Sequence, residues 1–108
     1  MRDAILEYLK AEGDASLFAM ERDIPGFSGT ATLTYNGDPN QVVWPSVSEA
    51  ALDALTDLIS VKAVTLNVEP ELIYKFDGAS VPNLPRSDGV RRVRVKSWVP
   101  CVCRYNGG

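Results

Sequence analysis

Arg92, Arg94, Lys96 and Trp98 come closest, among the 108 residues of this chain, to a pattern with a recognisable chemistry. Residues two apart in an extended segment share a face. These four would then line one side of a strand, three cations ~6–7 Å apart with an indole at the end. Such a row can neutralise a phosphate backbone while the ring stacks on a base. It can equally meet the carboxylates of an acidic protein. The plainer reading is a solvent-facing strand whose charges discourage edge pairing, or one that pairs with the chain's own carboxylates.

The other reactive residues offer less. There is no histidine, which removes Ser-His-Asp and Cys-His nucleophiles and every His-containing zinc site. Cys101 and Cys103 are the only cysteines. Two thiolates cannot complete a tetrahedral zinc site, and a bridge between i and i+2 would fight an extended backbone. They read as reduced, packed thiols. Glu49, Asp53 and Asp57 recur at i, i+4, i+8 on one helix side, a solvated face rather than a metal site. Gly26-Phe27-Ser28-Gly29 has the G-x-x-G spacing of a nucleotide-clamping loop, but leads into a Thr-rich segment and reads as a plain turn. No phosphate-binding glycine loop and no calcium loop is present. No cofactor is implied.

Charge is polarised along the chain. Residues 1–80 hold 13 acids and 5 bases, and residues 81–108 hold one acid and 6 bases, for a net charge of −3. The asymmetry points to an interaction face at one end, or to two regions that attract one another within the fold. Overall negative charge works against nucleic acid. A composition of 45% hydrophobic and 23% charged residues is that of one globular domain, residues 1–108. No apolar run is long enough to span a membrane, and no signal-peptide pattern follows Met1. The expectation is a cytoplasmic protein.

The elements that must position these residues follow from periodicity. Residues 3–12 read as a helix with Ile5, Tyr8 and Leu9 on one face. Residues 15–22 fit a buried strand or a short helix, and the strand is preferred. Residues 29–44 read as a hairpin, with alternating Thr and apolar residues and turn chemistry at Asn36–Asn40. Ser46-Val47-Ser48-Glu49 matches a capping box that opens a helix over 46–60, with Ala51, Leu55, Leu58 and Ile59 as its apolar stripe. Residues 62–76 read as a second hairpin and 79–89 as a loop. Residues 90–99, extending toward 105, read as a last strand that Pro100 confines to an edge or breaks.

The order of helix, short segment, helix and hairpin resembles a winged-helix domain, with 46–60 as recognition helix and 62–76 as wing. A recognition helix should carry Arg, Lys, Asn or Gln toward the major groove. This one carries no base before Lys62, so the resemblance implies a DNA face that is electrostatically disabled. The leading expectation is instead an α+β domain, two helices packed on one face of a small, mostly antiparallel sheet of about five strands. Its expected role is non-catalytic, a binding or adaptor domain that meets an acidic protein partner through Arg92, Arg94, Lys96 and Trp98. Nucleic-acid binding through the same basic strand is the alternative.

Overall fold

The computed structural model describes residues 1–70, 74, 78, 81–90 and 94–106. The chain runs α1 (Arg2–Glu12), β1 (Asp14–Ser16), α2 (Leu17–Asp23), β2 (Ser28–Tyr35), β3 (Asp38–Val47), α3 (Glu49–Ser60), β4 (Val64–Val68), β5 (Ser97–Trp98) and β6 (Cys101–Tyr105). The α+β class stands. Its strands, however, divide into two three-stranded sheets, ordered β1-β6-β4 and β2-β3-β5. All pairs are antiparallel except β3 with β5.

Three departures from the periodic reading have local causes. Residues 17–22 are helical, not extended. Ser16 caps α2 by accepting from the Ala19 amide at 3.1 Å, and Leu17, Ala19 and Met20 are all buried. The cap of α3 is Ser48 rather than Ser46. Its hydroxyl accepts from the Ala51 amide at 3.1 Å, because β3 holds Ser46 and Val47 in the sheet with β2. Ser48 also donates to the Gly26 carbonyl at 2.7 Å, and its own amide reaches the Phe27 carbonyl at 2.7 Å. A Cβ on Gly29 would stand 2.5 Å from Ser48 Cα. Glycine at 29 is therefore what lets the start of β2 lie on the cap of α3.

The third departure is the expected second hairpin. Its first strand exists as β4 but pairs with β6, Leu66 opposite Cys103. Tyr74 has helical backbone, and the flanking Leu72 and Phe76 lie outside the described residues. The first hairpin forms as read and turns tightly at Asn36 and Gly37, both at positive φ (52° and 71°). Paired positive φ values match the right-handed twist of the flanking strands.

The core joins both sheets. α1 packs Ile5 and Leu9 inward and lies against α3 and β6, while α3 lies against β2 and β4. Tyr74 is fully buried. Its ring stacks on Trp44 at 5.4 Å and meets Trp98 edge-on at 5.1 Å. Its hydroxyl accepts from the Leu17 amide at 3.1 Å and donates to the Cys101 carbonyl at 2.7 Å, which fixes α2 to β6. Leu55 of α3 is fully buried. Leu55→Ala is expected to destabilise the protein by about 2–5 kcal/mol in urea denaturation. A loss below ~1 kcal/mol would mean that the α3 stripe faces water.

Candidate functional site

The basic segment does not form the strand that its alternation suggests. Arg94, Val95 and Lys96 are exposed and precede β5, which is only two residues long. Arg92 lies outside the described residues. Trp98 is fully buried, and its indole Nε1 donates to the Val43 carbonyl at 3.0 Å. The Arg86 guanidinium sits 4.7 Å from the Trp98 ring centroid. The ring therefore offers no face to a base, and the expected stripe of three cations and an indole on one strand face is not what this segment builds. The parity argument fails because, among the described residues of this segment, only Ser97 and Trp98 form a strand.

Residues 84–90 are tied to the tip of the β2–β3 hairpin. Ser87 receives its backbone support from Trp98, amide to carbonyl at 2.9 Å, and Trp98 donates its amide to the Pro85 carbonyl at 2.8 Å. The Ser87 hydroxyl donates to Gln41 Oε1 at 3.3 Å. Gln41 in turn donates through Nε2 to the buried Asp38 carboxylate at 3.1 Å. Gly89, at φ 76°, lies so close to Tyr35 that a Cβ would stand 2.7 Å from its ring. Beyond this anchor, Val90 and Val95 are 78% and 65% exposed.

Tyr35 also borders a groove of about 580 Å³. One wall is Leu33–Gly37, from the end of β2 and its turn, and the other is Val64–Leu66 of β4. The floor is the α3 side bearing Leu52, Thr56, Ile59 and Ser60. β2 and β4 are each the outer strand of their sheet, so both walls present a sheet edge. Among the described residues, Tyr35 is the one ionisable side chain that lines the groove. Asp53 and Asp57, exposed, follow Leu52 and Thr56 along α3, with Glu49 one turn earlier. Glu49, Asp53, Asp57, Arg94 and Lys96 take part in no ion pair among the described residues. Among the described residues, the α3 acids and the Arg94 and Lys96 cations are thus not neutralised against each other.

Several other titratable groups take part in contacts that tie elements together. The Tyr8 hydroxyl donates to Asp23 at 2.7 Å, and Arg22 grips the same carboxylate at 2.8 Å. The Arg22 and Tyr8 hydrogen bonds hold Asp23 down at about 2. Burial, then the Asp23 bond, lifts Tyr8 to about 12. Neither group changes charge near neutrality. Arg104 reaches Asp14 at 3.4 Å and Glu69 at 4.0 Å across the surface. Cys101 and Cys103 are free and buried. Burial raises the Cys101 thiol to about 12 and Cys103 still further, so neither is a ready nucleophile. Among the described residues no group of three or more His, Cys, Asp or Glu is placed to hold a metal ion, and no helix is long and apolar enough to cross a membrane.

Comparison with family models, curated proteins and solved structures finds no match. The groove is the feature that sequence reasoning missed. Leu33, Tyr35, Val64 and Leu66 are all legible as strand residues, but their meeting across α3 depends on β4 pairing with β6 instead of with its neighbour in sequence.

Proposed function

We propose that the protein is a non-catalytic binding module, an adaptor that works through protein–protein contacts. The observation that carries this reading is the groove between the edges of β2 and β4. An extended segment laid there can hydrogen-bond to a sheet edge and place alternate side chains on the apolar floor. The exposed Arg94 and Lys96 add a basic contact for an acidic surface. The groove lining is mostly apolar and hydroxyl-bearing, which suits recognition better than acid–base catalysis. The free thiols suit a reducing, cytoplasmic setting.

The test is a titration of the isotope-labelled protein with extended peptides that alternate valine with either lysine or glutamate. Amide shifts confined to Leu33–Gly37 and Thr65–Leu66 are expected, and they should vanish in Leu66→Glu. Unmoved signals with every peptide at millimolar concentration would overturn the reading. Exposed Arg94 and Lys96 favour nucleic acid as a second reading, though with Trp98 buried the contact would be to phosphates alone. That reading requires oligonucleotide binding with a log–log salt slope of about −2 for two phosphate contacts.

A further inference from the structure

Tyr35 links the groove to residues 84–90: it borders the groove and packs against Gly89. The molecule carries two exposed, opposite patches whose charges make no ion pair among the described residues. The acidic one is Asp53 and Asp57 on α3, beside an apolar groove. The C-terminal end of α3 adds its partial negative charge at Ile59 and Ser60, with no base in the last turn to offset it. The basic patch is Arg94 and Lys96, flanking an exposed Val95. Each patch offers what the other lacks. The groove has an apolar floor and an anionic rim, and the loop has an apolar side chain between two cations.

We propose that the partner is a second copy of this chain: Val95 of one copy enters the groove of the other, and Arg94 and Lys96 meet Asp53 and Asp57. This rests on the reading of the groove as a docking site and names its occupant. A two-fold axis that turns each loop onto the other copy's groove gives a single closed interface. Two patches on opposite sides would instead propagate an open chain. Both sets of charges lack internal partners among the described residues, so their pairing across copies breaks no existing ion pair. Exposed charges of this kind set partner choice and salt sensitivity more than fold stability.

Sedimentation equilibrium of the full chain decides the matter. A monomer–dimer equilibrium is expected in the micromolar range, weakened about tenfold or more between low and high salt. The pair Arg94→Glu with Lys96→Glu should weaken it at least ~10-fold. The pair Asp53→Lys with Asp57→Lys should do the same. The chain carrying all four reversals should regain the affinity, since the patches are then complementary again. Circular dichroism of each variant checks that the fold is kept. A monomer at every concentration, an open-ended series of larger species, or no recovery in the fourfold variant would overturn the proposal. The peptide titration, repeated on the Arg94→Glu, Lys96→Glu variant, separates the two readings. Groove shifts in a chain that never self-associates sink the second copy and keep the docking site. No groove shifts in that variant sink both.

Discussion

Alanine in place of Trp98 is expected to cost about 3–5 kcal/mol, a large share of the ~5–15 kcal/mol that holds a domain of this size together. The ring is fully buried, touches Tyr74 edge-on and lies under the Arg86 guanidinium. Its removal opens a cavity between the two sheets and leaves the Val43 carbonyl without the indole donor. Chemical denaturation would show an early midpoint, and thermal melting a drop of many degrees. A variant within ~1 kcal/mol of the parent would mean that Trp98 stands at the surface, where it could serve a partner directly. Trp98→Phe separates the contributions, since it keeps most of the ring but loses the Nε1 bond, at about 1–3 kcal/mol.

The second large effect is at Tyr74. Tyr74→Ala is expected to cost about 3–5 kcal/mol, as for other aromatic rings cut back to a methyl. The ring lies between Trp44 and Trp98, and its hydroxyl serves the first amide of α2 and a carbonyl of β6 together. Tyr74→Phe keeps the ring contacts and leaves a buried amide and a buried carbonyl without this partner, at about 1–3 kcal/mol. Near-ultraviolet circular dichroism should tell the two variants apart, because the stacked Trp44 ring loses its aromatic neighbour only in the alanine variant. Equal stability of parent and Tyr74→Phe would show that the hydroxyl bonds are replaced by water.

Much of the fold is legible in the sequence where a pattern is local. α1, α3 and the β2–β3 hairpin follow from apolar periodicity and from Asn36-Gly37. What is illegible has physical causes. Leu17, Phe18, Ala19 and Met20 carry no alternation, because three of the four face the core, and only the Ser16 hydroxyl selects the helix. Two serines compete to cap α3, and the winner is decided by the sheet, which claims Ser46 and Val47. The hydroxyl of Ser46 goes instead to Glu21 at 2.9 Å. Of the candidate site, Arg94 and Lys96 are exposed as their charge suggests, whereas Trp98 shares their parity in sequence and not their environment. A period-2 argument holds only within one strand, and the strand here begins at Ser97.

The central place of β6 between β1 and β4 also governs when the molecule can be finished. During synthesis Asp14–Ser16 emerges before Val64–Val68, yet neither has its partner strand until Cys101–Tyr105 is released. Such distant pairing carries a loop-closure cost and slows folding. The nascent chain must hold Leu17, Val64 and the other side chains of that layer unsheltered in the meantime, the situation in which unpaired edges invite misassociation. That sheet is therefore assembled only once Cys101–Tyr105 can reach both of its neighbours, with β6 as its closing piece.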